Sequence, residues 1–349
     1  MRALFLVLFL GLALGQGVEL RLYRNFAEVA EPVALEEGVY VWQPGPAVWE
    51  RLIGDRVWLS GARLERVVWR KDAVWLFAEG EDARLHYLTR GLSGELRYRL
   101  ELEGGELEGW LWVRNELGRP VRVEELVYIA GAVPIAGGAP RERGLSPMAK
   151  VAEAVSAPGA RYEGAGGGVF RYRYDRPVVI EPERTGFPLY RAEVRPLLVW
   201  SYRGMFVRAE RLPLSRGYRF EAPLALGAGS LDLFKGGTFL GSLRIGDAYE
   251  GDEVDLPLGP ATRARAVRRV EVLAENAEVQ SYRVTTRVEN RGEEAAWVEI
   301  EERFPGDRLE LVLEEGERVP RGYRVRFRLP PKGEHTYRFR VTIRYAKKR

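Results

Sequence analysis

The chain contains no cysteine, which excludes disulfides and every thiolate-bound zinc or iron–sulfur site. Histidine is almost as scarce, with only His86 and His335. Nucleophilic triads need a histidine base beside the nucleophile, so little of the chain is open to that chemistry. The G-x-S-x-G elbow, the Walker loop, H-E-x-x-H and the G-x-G-x-x-G phosphate fingerprint are all missing. His86, in Leu85-His86-Tyr87, and His335, near the Gly333 turn, read as structural or solvent-facing side chains. No cofactor and no catalytic residue is assigned, and the balance leans away from an enzyme.

Lysine stands only at Lys71, Lys150, Lys235, Lys332, Lys347 and Lys348, leaving 48 arginines among the 54 basic residues. Glutamine occurs only at Gln16, Gln43 and Gln280, and methionine three times. Few thermolabile side chains beside many charges of both signs suggest a thermophile with surface ion-pair networks, although arginine bias also follows from GC-rich coding. The 50 acidic residues bring the net charge to only +4. The pI near 9.2 therefore reflects arginine abundance and does not mark a nucleic-acid binder.

Long apolar runs are lacking except at the N-terminus. Met1-Arg2 is a minimal positive region, Ala3 to Ala13 (ALFLVLFLGLA) is apolar, and Ala13-Leu14-Gly15 offers small residues for cleavage. The run is shorter than the roughly 20 residues of a membrane-spanning helix. Residues 1–15 thus read as a secretory signal peptide, with an uncleaved anchor as the alternative. The mature chain is expected in the periplasm or outside the cell, without a transmembrane segment and without nucleic acid as its partner.

What is abundant is strand pattern. Hydrophobic residues make up 46% and aromatic residues 11%, enough for real cores. In the stretch 85–131, Leu96, Tyr98, Leu100 and Leu102 alternate with Arg97, Arg99, Glu101 and Glu103 across a period of two. Gly104-Gly105 supplies a turn, and Leu107, Gly109, Leu111 and Val113 then oppose Glu108, Trp110, Trp112 and Arg114. Short strands with turn punctuation fill 17–84, with a helical turn around Ala47 to Leu52. The Ala-, Gly- and Pro-rich segment 132–168 breaks the rhythm. Inside it, Ser146-Pro147 opens one short helix toward Val155 by an N-cap serine and a proline at the first helical position. A long loop of this kind is a mobile spacer or a partner-binding segment, and Met148, Lys150 and Glu153 are its candidate contact residues.

Strands resume at Val169 and continue to the C-terminus. The segment 282–304 has strand–Asn-Arg-Gly turn–strand form, echoing the strand–Asn115–turn–strand form of the earlier stretch. The expected fold is all-β: two or three immunoglobulin-like β-sandwich domains with one short helix in a long loop. The expected bounds are 16–84, 85–226 and 227–349.

Several segments resemble the mucoidy-inhibitor-like family of exported bacterial proteins. They include LYRNFAEV (22–29), YLTRGLSGELRYRLELEG (87–104), LWVRNELGRPV (111–121), FRYRYDRPVVI (170–180), LDLFKGGTFLGS (231–242) and SYRVTTRVENR (281–291). Relatives commonly carry Trp where this chain has Gly94. The resemblance implies an exported, β-rich protein and carries over no activity, ligand or catalytic residue.

Three kinds of residue remain as site candidates. Asp247, Asp252 and Asp255, with Glu250 and Glu253, cluster around Gly251 and offer oxygen ligands for calcium, although a solvated turn explains them as well. The nine tryptophans either build cores or bind glycan, and Trp110 and Trp112, two apart on one face, form the candidate stacking pair. Arg338, Arg340 and Arg344, with the basic tail, either meet anionic polymer or pair with Glu310 and Glu314. The favoured reading is a non-enzymatic exported envelope protein serving as a structural or protein-interaction module. The alternative is an exported carbohydrate-binding or carbohydrate-processing protein. The partner is accordingly an envelope protein or polysaccharide.

Overall fold

The computed structural model describes residues 17–131, 155–156, 160–166 and 169–345. The segment read as a signal peptide and Met148, Lys150 and Glu153 lie outside these residues, as does the expected helix up to Val155, which begins the short strand Val155–Ser156. Among the described residues the chain is almost wholly β, and the one helix is the single turn Pro46–Trp49. That turn follows Gly45 and has proline at its first positions, where a missing N–H costs nothing. No helix among the described residues is long and apolar enough to cross a membrane.

The chain divides into two compact units. One comprises the residues up to Val194 together with Ala222–Asp252, and the other Arg195–Glu221 together with the chain from Glu253 onward. The bounds read from the sequence, at 84/85 and 226/227, fall elsewhere because strand partners far apart in the chain share sheets. Strand Glu19–Leu22, for instance, pairs in parallel with Glu125–Ala130.

In the first unit a seven-stranded sheet faces a six-stranded one. Glu19–Leu22 is the middle strand of the seven-stranded sheet, followed outward by Ala27–Val33, Ala83–Thr89 and the edge strand Leu52–Ser60. The six-stranded sheet is built around Leu92–Glu101, Glu106–Asn115 and Glu183–Glu193. The period-two pattern explains the layering. Leu96, Tyr98, Leu100, Leu107, Leu111 and Val113 point inward and are buried. Each large side chain so buried contributes about 1.5–3 kcal/mol. Tyr98 and Tyr172 bring hydroxyls into this core and donate them to the carbonyls of Gly227 at 2.7 Å and Ala225 at 3.0 Å. Gly94 lies under the Tyr128 ring, and a Cβ there would sit 2.7 Å from it. A large side chain at this position has no room here.

The second unit packs two further sheets around Trp200, Val284, Val298, Ile300, Phe339 and Val341. One ion pair is sealed inside it. Arg268 and Glu302 have fully buried side chains and join through two hydrogen bonds, at 2.8 and 2.5 Å. Tyr323 donates to the same carboxylate at 2.6 Å.

The echo read in the sequence is reproduced atom for atom. Asn115 ends its strand with its amide donating to the Arg119 carbonyl at 2.8 Å and the Ile180 carbonyl at 3.0 Å. Its Oδ1 accepts the Leu117 N–H at 3.0 Å. In the second unit Asn290 donates to Glu294 at 2.8 Å and Pro330 at 2.9 Å, and accepts from Gly292 at 2.8 Å. Each asparagine thus closes its own turn and ties it to a more distant strand end.

Candidate functional site

The outward face of the six-stranded sheet carries the strongest candidate. Because residues 106–115 alternate strictly, Trp110 and Trp112 both project away from the core, and both are half-buried. Trp110 lies in register between Arg97 and Pro188, and Trp112 between Glu95 and Gly186. The absent side chain at Gly186 lets the Trp112 ring lie across the neighbouring strand, where a Cβ would approach it to 3.2 Å. The Arg184 guanidinium sits 4.7 Å from the Trp112 ring centre. The two rings therefore do not form the bare platform suggested by their spacing. Trp112 is the support of an arginine, held by the attraction of a cation to the ring face.

Around Trp112 opens a groove of about 920 Å³. Arg24, Arg90, Arg97, Arg114 and Arg184 line it, against Glu95, Glu116 and Glu183. Some of this charge is already paired. Glu95 bridges Arg97, at 2.9 Å, and Arg184, while Glu116 meets Arg114 at 2.8 Å and Arg51 at 3.6 Å. Arg24 and Arg90 are exposed and make no ion pair with a described residue. An excess of two positive charges thus rests on two guanidinium groups whose donors are free for an anion. A smaller hollow of about 290 Å³ shares Arg24 and Asn25 with the groove and is lined further by Tyr23, Phe26 and Tyr128. Tyr23 and Phe26 stack there at 4.3 Å. Fixed arginine forks match carboxylate, sulfate or phosphate oxygens.

The acidic candidates do not converge. Asp247 accepts the Ala228 N–H at 2.7 Å, Asp252 accepts the Tyr249 N–H at 2.8 Å, and Asp255 pairs with Arg219 at 2.6 Å. Each carboxylate closes a turn or neutralises an arginine, and among the described residues no group of three or more potential metal ligands gathers. The arginine row of the last strand pairs locally, Arg344 with Glu310 at 3.2 Å and Arg338 with Glu314 at 3.6 Å.

Of the two histidines, His335 sits against Phe327 and 2.6 Å from Glu315. His86 is buried and lies between Ser60 and Glu28. Sequence reasoning missed Arg24, Arg90 and Arg184 as groove residues because they belong to three separated segments with no shared motif. No family model matches this sequence, and a search of curated proteins finds no relative.

Proposed function

We propose that this chain is an exported envelope protein acting as an interaction module, and that it holds an acidic polysaccharide in the arginine groove. The observation that carries this reading is the gathering of five arginines around Trp112, two of them without a counter-ion. The leader-like N-terminus and the mucoidy-inhibitor-like segments support the compartment. An open groove with an aromatic floor and a cationic rim suits a chain of uronate or sulfated sugars better than an apolar lipid, because its lining is charged. The groove needs no chemistry for this role.

Titration of the purified full-length chain with a polyuronate, followed by calorimetry, tests the proposal. Binding is expected to weaken as salt rises toward physiological strength and beyond, because the contacts are exposed and screened over about 8 Å. The double substitution Arg24→Ala/Arg90→Ala should weaken it by roughly tenfold, at about 0.5–1 kcal/mol for each exposed contact. Thermal stability should not change, since neither side chain is packed or paired. Equal binding of an uncharged glucan, or indifference to the double substitution, would overturn the assignment.

A further inference from the structure

On the outward face of the seven-stranded sheet, three strands bring together residues that no motif connects. Ser60 ends strand Leu52–Ser60, His86 lies in Ala83–Thr89, and Glu28 lies in Ala27–Val33. In the sheet, Ala83–Thr89 runs between the other two strands. Trp58 and Ala30 are the cross-strand partners of His86, so Ser60 and Glu28 fall on the same face as the imidazole, one step along each neighbour. Ser60 Oγ lies 2.7 Å from His86 Nε2, and Glu28 Oε1 lies 3.1 Å from His86 Nδ1.

Burial is graded along this chain of contacts. Glu28 and His86 are buried, whereas Ser60 is exposed. The Trp58 indole lies nearly parallel to the imidazole at 5.0 Å and fixes the plane of the ring. Arg21 reaches the same Glu28 oxygen at 2.9 Å. Burial alone would push the Glu28 carboxyl up, but the hydrogen bonds and charges of His86 and Arg21 outweigh it and hold the group below the ordinary glutamate value. An ionised carboxylate only accepts hydrogen bonds. The proton on a neutral His86 is therefore assigned to Nδ1, which leaves the Nε2 lone pair to accept the Ser60 hydroxyl.

We propose that Ser60 is an activated nucleophile for acyl transfer from carboxylic esters, with His86 as its base and Glu28 as a positioning residue. Ser60 Oγ attacks the ester carbonyl carbon as its proton passes to His86 Nε2. The bond from that carbon to the alkoxy oxygen breaks, and His86 returns the proton to the departing alcohol. Water, deprotonated by His86, then attacks the acyl-serine, releasing the carboxylic acid and regenerating the Ser60 hydroxyl. This site shares no residue with the arginine groove, so it stands or falls separately from the polysaccharide reading. For His86 it also departs from the expectation of a structural or solvent-facing side chain.

No oxyanion donor is assigned beside Ser60, and lack of one such donor slows acyl transfer by about 10²–10³-fold. The decisive measurement is accordingly stoichiometric. The full-length chain is incubated with an alkyl fluorophosphonate, and the adduct is located by peptide mass spectrometry. The expected result is one phosphonyl group per chain on Ser60, with fluoride released. Ser60→Ala should abolish it, His86→Gln should reduce its rate at least a hundredfold, and Ser215→Ala in the second unit should leave it unchanged. Glu28→Asp should retain more of the labelling rate than Glu28→Gln. Should His86→Gln unfold the chain, Ser60→Ala still decides, because it removes only an exposed hydroxyl. Absence of labelling at Ser60 in the wild-type chain, or an undiminished rate in a folded His86→Gln chain, would overturn the proposal.

Discussion

Glu302 shows how much a single carboxylate decides inside an apolar core. It lies in phase with Val298 and Ile300 on the inward face of strand Ala296–Arg303, a position where the alternation calls for an apolar residue. Its charge is tolerated because Arg268 and Tyr323 satisfy both oxygens. Replacing Glu302 with Ala would strand a fully buried guanidinium, and urea denaturation is expected to show a loss of about 3–5 kcal/mol in the second unit. The double substitution Arg268→Met/Glu302→Leu should lose far less, since no unpaired charge remains. A single substitution no worse than the double would contradict this account. In the sequence the out-of-phase glutamate is visible, but its partner is not, because Arg268 lies 34 residues away.

Among the elements, the two asparagine turns argue that the units are built on one plan. In each, a buried amide spans its own turn and reaches the end of another strand. Loss of such a side chain leaves buried carbonyls without donors, at about 1–3 kcal/mol for each unsatisfied group. Asn115→Ala and Asn290→Ala should each destabilise their own unit by about 2–4 kcal/mol, read as a fall in denaturation midpoint. Aspartate should fail to rescue either, because the amide donors are what the turn uses. The strand–Asn–turn–strand form was legible from residue types and spacing. The carbonyls of Ile180 and Pro330 were not, since they arrive from strands 65 and 40 residues further on.

Across the whole molecule, carboxylates respond to pH in two opposite ways. Glu28 and Glu299 are buried, which would raise them, but His86 and Arg21 in the first case and Arg203, Arg326 and Arg219 in the second hold both below the ordinary value. Glu301 is lowered chiefly by its hydrogen bond from Arg324. A depressed folded value gives stability that is present above the unfolded pKa near 4.5 and is lost as pH falls through the folded one. Glu31 behaves in reverse. Burial raises it to about 7, against the opposing pull of Arg119 and a hydrogen bond from Trp42. Its contribution is full below about pH 4.5 and disappears as pH rises through about 7. Denaturation midpoints measured across this range should therefore fall on the acid side in both units. In the first unit they should also decline gently between about pH 4.5 and 7, and Glu31→Gln should flatten that decline. A decline unchanged by Glu31→Gln would remove Glu31 as its source.

The sequence by itself determined the β character, the two faces of each clear strand, and the sharing of one face by Trp110 and Trp112, whose outward aim only the sheet packing decided. Those properties are local: a period of two and a turn residue act over a few positions. Only the tertiary structure decided that residues 17–84 share sheets with later strands. It alone brought Arg24, Arg90 and Arg184 to one groove, gave each of the three aspartates a partner of its own, and set His86 between Ser60 and Glu28. Each of these depends on strand order and register between segments tens of residues apart. A one-residue slip in register would move every one of those side chains to the opposite face, and nothing in the local pattern of either strand specifies its partner.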